Sequence, residues 1–126
     1  MWEATELGPE DLTWAATNFF GGIAGQQSGV CGAVSSAAVY LGLRHCVPLA
    51  NKELADRARQ ASREQCARLV HDFTQQNGSI ICSSLTGVAF SDPVARQRFR
   101  DSGEWQRKCG GYVRSLIKML YDLEGK

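Results

Sequence analysis

The segment FFGGIAGQQSGVCGAVSSAAVYLGL, residues 19–43, decides the fold of this chain. Its first half is rich in glycine and predicts a flexible loop, whereas its second half, from Cys31, has small and apolar residues and predicts a buried helix. Cys31 is therefore expected in the first helical turn, where free backbone N–H groups and the helix dipole favour a thiolate. A thiol in that position is a candidate reactive group.

Two further cysteines are associated with turn signals in the same way. Cys82 follows Asn77-Gly78-Ser79, and Cys109 precedes Gly110-Gly111, where the final helix is predicted to begin. Cysteines so far apart in sequence can meet only through the fold. Three thiols at predicted helix starts nevertheless suggest thiol chemistry at Cys31, Cys82 and Cys109.

The remaining two cysteines fit less reactive settings. Cys66 falls on the apolar stripe of a predicted helix, where a thiol packs as a small hydrophobic side chain. Cys46 stands beside His45 in a turn, but no second pair with metal-ligand spacing accompanies them. The sequence also lacks CxxC and CxxCH, which argues against a covalently attached haem.

Composition indicates an ordinary globular protein. The chain has 126 residues, 44% of them hydrophobic and 21% charged, with a net charge of +1. This length predicts one helical domain over residues 1–126 with a core of its own. The charge balance gives no support for nucleic acid or another polyanion as a partner.

The apolar segments do not indicate a membrane protein. The longest, Val30 to Leu43, has about 14 residues and is too short to cross about 30 Å of hydrocarbon. Acidic residues follow Met1 where a signal peptide would have basic ones. We therefore expect a cytoplasmic protein, in which five cysteines are reduced, catalytic or metal-binding.

The periodicity predicts an all-α fold, a compact bundle of about four to five helices with a glycine-rich loop before the second helix. No alternating strand pattern of useful length appears. A polar, arginine-rich segment with Asp92-Pro93 precedes the final helix. The predicted helices run from about Pro9 to Phe20, from Cys31 to about His45, from an Asn51 N-cap to about Gln76, over a short segment that carries Cys82, and from about Cys109 to Leu123.

Two of these helices have apolar stripes that are expected to face the core. The three tryptophans are expected to pack the bundle or a subunit contact. The stripe of the helix after Asn51 consists of Ala55, Ala58, Ser62, Cys66, Leu69 and Phe73. The stripe of the final helix consists of Val113, Leu116, Ile117, Leu120 and Leu123. The tryptophans are Trp2, Trp14 and Trp105.

At these residues the chain resembles a small redox-protein family named for its C_GCAxxG_C_C pattern, whose members have about this length. The matching residues are the glycine-rich loop from Gly21, Cys31-Gly32-Ala33 in the place of CGAxxG, the GSxxC of residues 78–82, and Cys109. Their order and spacing cover nearly the whole chain. The resemblance implies redox activity based on four cysteines, of which three are present here.

Two departures from the family pattern stand out. The family's first cysteine belongs to an N-terminal helix ahead of Leu7-Gly8, and that cysteine is absent. The last glycine of CGAxxG is Ser36. A cluster site with four cysteines would therefore need a ligand from another chain or from Cys46.

Three functions remain open at this point. The first is thiol-disulfide exchange or electron transfer by Cys31, Cys82 and Cys109 in the catalytic role, with a redox partner protein or a small thiol. The second makes the same cysteines ligands of an iron–sulfur cluster, which usually requires four thiolates. The third is a non-catalytic helical interaction module. A homo-oligomer is expected, and for the interaction module the reason is that a missing N-terminal helix would leave apolar surface that a partner could cover.

Overall fold

Helices make up 68% of the structure, a computed structural model that describes residues 5–125. No strand occurs within these residues, so the all-α prediction is confirmed. The helices are α1 (Asp11–Ala15), α2 (Gly32–Arg44), α3 (Lys52–Asn77), α4 (Cys82–Thr86), α5 (Pro93–Asp101) and α6 (Glu104–Leu123), and a 3₁₀ turn (Thr17–Phe19) follows α1.

The centre of the fold is a group of three helices in mutual contact. Helix α2 packs against α3 and α6, and α3 packs against α6. The short helices α4 and α5 lie against α6, and the 3₁₀ turn lies against α2. Their buried side chains form one core, made of Val34, Ala37, Tyr40, Leu41, Leu69, Phe73, Leu85, Leu116 and Leu120.

Helix α3 has the ends that its sequence predicts. The Asn51 side chain accepts a hydrogen bond from the backbone N–H of Leu54 at 3.0 Å, which satisfies a free donor of the first turn. Gly78 closes the other end in the left-handed conformation, with φ of 79°. Ala55, Leu69 and Phe73 are buried on the predicted stripe.

Helix α5 forms from the arginine-rich segment, for which no helix bounds are predicted above. The Asp92 side chain caps it by accepting from the N–H groups of Val94 and Ala95, and Pro93 occupies its first position. Phe99 is its buried residue. One apolar anchor among arginines gives too weak a periodicity to mark a helix.

The prediction of one continuous helix from Pro9 to Phe20 is wrong. Helix α1 has five residues, none buried, and its N-cap residue Glu10 makes no side-chain capping bond. So short a helix without core contacts has little to stabilise it, and the chain continues as a 3₁₀ turn.

The predicted start of the final helix at Cys109 is also wrong. Helix α6 begins at Glu104, directly after Gly103 in the left-handed conformation, so Cys109 lies in the second turn. Gly110 and Gly111 are therefore interior helical residues. Two glycines weaken helix propensity by about 1 kcal/mol each relative to alanine, but Leu116 and Leu120 further along α6 are buried in the core.

Several residues expected in the interior are exposed instead. Trp14 is 74% exposed and Trp105 is 45% exposed, so neither is buried within this chain, and Trp2 lies outside the described residues. Val113 is 44% exposed although it belongs to the apolar stripe of α6. Trp105 and Val113 both line the cavity described below.

The end of α2 is fastened to the end of α6 by a partly buried polar cluster. The Glu124 carboxylate accepts hydrogen bonds from the Tyr40 hydroxyl and from Nε of Arg44 at 2.9 Å. Burial, and next the bond to Glu124, raise the pKa of Tyr40 to about 12, so its hydroxyl stays a donor at neutral pH. The cluster fixes the two helices beside the cavity.

Within the described part of the chain, no helix combines the length and the apolar character needed to cross a bilayer.

Phe73 provides a direct test of this packing. Its side chain is fully buried and meets the Tyr112 ring edge-on, at 5.8 Å between ring centroids. We expect Phe73→Ala to lower the free energy of unfolding in urea by about 3–5 kcal/mol, because it removes apolar contacts and leaves a cavity.

Leu49→Ala is the matched control, since Leu49 is 73% exposed. That variant should unfold within about 0.5 kcal/mol of the parent chain. Equal losses for the two variants would contradict the core described here.

Candidate functional site

All three candidate cysteines line one cavity of about 510 Å³. The sulfur-bearing wall is formed by Cys31 from the start of α2, Cys82 from α4 and Cys109 from α6. The rest of the lining is mostly apolar and aromatic. It includes Phe19, Phe20, Phe90, Trp105, Tyr112, Val113, Leu116, Ile117 and Leu120.

A short backbone pairing holds two of these cysteines together. Val30 and Ile81 form an isolated antiparallel bridge, in which the N–H of Cys31 donates to the carbonyl of Ile80 at 2.7 Å. The N–H of Cys82 donates to the carbonyl of Gly29 at 3.1 Å. Cys31 and Cys82 each follow a bridge partner directly, and because the bridge is antiparallel they are diagonal neighbours on one face, about 7–8 Å apart between α-carbons.

Cys31 is the N-cap residue of α2, with extended dihedral angles (φ −49°, ψ 131°), rather than a residue of the first turn. Its side chain makes no capping hydrogen bond and is half-buried. Gly32 follows, and a Cβ there would lie 2.7 Å from the carbonyl oxygen of Phe19. The helix start is thus pressed against the 3₁₀ turn.

The loop before α2 contains a left-handed turn. Residues 21–25 all have positive φ, including Ile23 at 71° and Ala24 at 52°. This conformation costs a residue with a Cβ about 1–2 kcal/mol, and more is expected for a β-branched isoleucine. Such strain persists only where surrounding contacts compensate for it.

Gly22 brings this loop against Cys82. Its φ is 60°, and a Cβ at this position would lie 2.7 Å from the carbonyl oxygen of Gly29 and 2.9 Å from Cβ of Cys82. Both the left-handed backbone and the space available therefore require glycine. The backbone of the loop therefore packs directly against Cys82.

Gln27 is the residue that ties the loop to α4 and the turn after it. Its Nε2 donates to Oγ1 of Thr86 at 3.0 Å and to the carbonyl of Val88 at 2.8 Å, and its Oε1 accepts from the N–H of Phe90 at 2.7 Å. Nε2 also lies 4.0 Å from Sγ of Cys82. The side chain is buried and its backbone is left-handed, with φ of 62°.

Helix α6 supplies two donors to the end of α4. Nζ of Lys108 donates to the carbonyl of Thr86 at 3.0 Å, and the hydroxyl of Tyr112 donates to the carbonyl of Leu85 at 2.8 Å. These carbonyls have no partners within so short a helix. The bonds lock α4, and with it Cys82, against the helix that carries Cys109.

The environment of Cys82 and Cys109 keeps both thiols protonated. Burial raises the pKa of Cys82, a charge on Cys31 raises it further, and the Gln27 amide opposes the shift. For Cys109, burial and then charges on Cys31 and Cys82 raise the pKa to about 11, although Lys108 acts in the opposite direction.

These shifts correct the expectation that helix starts would activate all three thiols. Cys82 is the first residue of a five-residue helix, and the cost of burying its charge exceeds what that helix offers. Cys109 lies in the second turn of α6, away from the free N–H groups. Only Cys31 keeps a helix-start position, on a helix of 13 residues.

The two other cysteines lie outside the cavity lining. Cys66 is half-buried against the core, and burial raises the pKa of its thiol. Cys46 is exposed, and the neighbouring His45 ring pairs with Oε1 of Gln65 at 2.8 Å. Both placements agree with the sequence-based interpretation.

The geometry does not match a preformed metal site. Among residues 5–125, no three or more histidine, cysteine, aspartate or glutamate side chains are grouped as ligands of one ion. The three cysteines share a cavity without forming such a group. Iron–sulfur binding by these residues alone therefore lacks support from their arrangement.

Gln27 and Tyr112 are the residues that sequence reasoning missed. Both act through hydrogen bonds to backbone groups far along the chain. Gln27 lies in the loop after the glycine pair, and neither residue belongs to a motif. Only the fold reveals them.

A family model described as "Putative redox-active protein (C_GCAxxG_C_C)" matches residues 2–123. A search of curated proteins and a search of solved structures gave no match.

Gln27→Asn tests the role of the Gln27 side chain. Asparagine tolerates the left-handed backbone but is one methylene too short, so buried groups of Val88 and Phe90 lose partners. We expect the free energy of unfolding to fall by about 1–3 kcal/mol, with a further rise in the pKa of Cys82 measured by the pH dependence of its alkylation. Gln26→Asn, at an exposed neighbour, should change neither.

The raised pKa of the Cys109 thiol can be tested by the pH dependence of its alkylation. With a pKa of about 11, its alkylation in the native protein should become about 100-fold faster between about pH 7 and pH 9, as the thiolate fraction grows tenfold per unit. The native state also retains this proton longer than the unfolded chain, so stability should fall as pH rises from about 9 to about 11. Peptide mapping after timed alkylation measures the first effect. A plateau reached below about pH 8 would contradict the assignment.

Proposed function

This chain belongs to the C_GCAxxG_C_C family of redox-active proteins, and on that premise we propose that it performs thiol-disulfide exchange through Cys31, Cys82 and Cys109. The observation that supports this most directly is the shared cavity wall, where all three thiols border the same space. Thiols that open into one cavity can meet the same bound disulfide. A cysteine that served only in core packing would not have to lie beside other thiols.

Cys31 is the proposed attacking thiol. It caps a helix of 13 residues, makes no capping bond that would occupy its sulfur, and faces the cavity. Its place at the start of a long helix is a common position of nucleophilic cysteines. Attack on a substrate disulfide forms an S–S bond to Cys31 and releases one substrate sulfur as a thiolate.

Cys82 is the proposed resolving thiol. After losing its proton it attacks the sulfur of Cys31, forms the Cys31–Cys82 disulfide and releases the second substrate sulfur. Two protein thiols are thereby oxidised, one substrate disulfide is reduced to two thiols, and the two protons pass to those products. The raised pKa of Cys82 slows this step. The antiparallel bridge sets Cys31 and Cys82 on one face as diagonal neighbours, about 7–8 Å apart between α-carbons, so the two segments must move slightly closer for the disulfide to form.

Cys109 serves as a slower third thiol. Since its pKa is about 11, it holds its proton at neutral pH and competes poorly with Cys82. It would resolve a mixed disulfide only when Cys82 is already oxidised or blocked. Cys109 is therefore a reserve resolving thiol, and Cys82 is the main one.

The proposed reaction has a cellular location and reaction partners. We place the reaction in the cytoplasm, where a small thiol or a redox partner protein returns the oxidised pair to its thiol form. We also propose contact between two copies of the chain. It is supported by Trp14 and Ile23, which are 74% and 59% exposed and lie outside the cavity lining.

Single serine variants test the assigned roles with hydroxyethyl disulfide as oxidant. Cys31→Ser should abolish formation of the mixed disulfide, whereas Cys82→Ser should let it accumulate on Cys31 by at least about tenfold, because the resolving step is lost. Cys109→Ser should leave the first turnover unchanged. Mass spectrometry of acid-quenched samples identifies each species.

Cys66→Ser is the control, because Cys66 packs against the core. It should behave as the parent chain does. If native Cys31 were alkylated no faster than Cys66, the helical interaction module would be the better account.

A further inference from the structure

We propose that the cavity binds an uncharged, apolar small molecule, and that the disulfide reduced there is of the uncharged aromatic class. The second part rests on the function proposed above; the first does not. The inference comes from the size of the cavity, the absence of charge in its wall and the exposed aromatic side chains at its mouth.

The volume fits a small molecule. At about 510 Å³ the cavity lies within the 300–1,000 Å³ or so that is typical of ligand sites. Tightly packed interiors leave few voids larger than a water molecule. The cavity is lined on one side by Ala33 and Ala37 of α2, whose small side chains leave room, and on the other by Leu116 and Leu120 of α6.

The wall offers no charge to a ligand. Among the described residues that line the cavity there is no carboxylate, ammonium, guanidinium or imidazole group. A peptide disulfide with carboxylates and ammonium groups would have to lose hydration without gaining an ion pair, at a cost of several kcal/mol per group. The lining therefore selects against charged thiols and disulfides.

The polar atoms of the wall are largely engaged within the protein. The hydroxyls of Tyr40 and Tyr112 donate to Glu124 and to the carbonyl of Leu85. Oγ1 of Thr86 accepts from Gln27 and donates to the carbonyl of Cys82 at 3.0 Å. A ligand would therefore meet mostly carbon and sulfur.

The mouth exposes large apolar side chains. Phe20, Trp105 and Val113 line the cavity and are 46%, 45% and 44% exposed. Phe20 stacks on Phe90 with 6.3 Å between ring centroids. Aromatic rings in this arrangement bind flat apolar molecules by offset stacking.

The reaction inferred for this site is balanced by its own reactants. The Cys31 thiolate attacks one sulfur of a bound aromatic disulfide, forming a mixed disulfide and releasing an arylthiolate. Cys82 then attacks the Cys31 sulfur and releases the second arylthiol. The disulfide gains two electrons, the two cysteines lose two, and their two protons end on the arylthiols.

Binding is tested without thiol chemistry. The variant with Cys31, Cys82 and Cys109 all replaced by serine should still increase the fluorescence of N-phenylnaphthylamine, an uncharged aromatic dye. Val113→Lys in that background should weaken binding by about tenfold or more, because it places a charge at the cavity mouth. Val94→Lys is the matched control at a site that is 66% exposed and outside the cavity lining, and it should have no effect.

Substrate class is tested with two aromatic disulfides, uncharged dithiodipyridine and dianionic dithiobis(nitrobenzoate). Each rate at Cys31 is divided by the rate for the unfolded chain, which removes the intrinsic reactivity of the reagent. We expect the corrected ratio to favour the uncharged reagent by about tenfold or more. Val113→Lys should shift the ratio toward the dianion, whereas Val94→Lys should not.

The outcomes separate the two proposals. Dye binding without disulfide exchange would overturn the proposed function and leave the binding site standing. Exchange without dye binding or charge selectivity would overturn the present inference alone. A dimer in sedimentation velocity that excludes the dye would also overturn it, since a second copy would then cover the cavity.

Discussion

The backbone bridge between Val30 and Ile81 is the constraint on which the rest of the site depends. Two hydrogen bonds join segments that are 51 residues apart at Val30 and Ile81 and place Cys31 and Cys82 directly after the paired residues. A pairing this short is not stable alone. It persists because α2 on one side and α4 on the other are each packed against α6.

The loop before α2 shows how strain and polar contacts are balanced near a functional site. A left-handed turn that includes Ile23 and Ala24 is costly, yet it delivers Gly22 to Cys82 and Gln27 to the turn after α4. The hydrogen bonds of the buried Gln27 amide satisfy backbone groups that would otherwise lie unpaired. Strain in the loop is offset by these bonds.

Burial also sets the chemistry of the thiols. The apolar surroundings from which we infer a preference for uncharged molecules also bury Cys82 and Cys109 and raise their pKa values. The raised pKa values lower the fraction of reactive thiolate, whereas the shared cavity keeps the thiols near a bound molecule. Under the function proposed above, its thiols are expected to react with a disulfide held in the cavity in preference to reagents in bulk solvent, which would limit unwanted oxidation.

The sequence alone determined the all-α class, the ends of α3 through Asn51 and Gly78, and the cysteines to consider, because caps and apolar periodicity are local signals. It misplaced the start of α6 and failed to mark Gln27. Only the tertiary structure brought Cys31, Cys82 and Cys109 to one cavity and raised the pKa of two of them. Burial and electrostatic coupling arise from groups that are distant along the chain, so no local pattern encodes them.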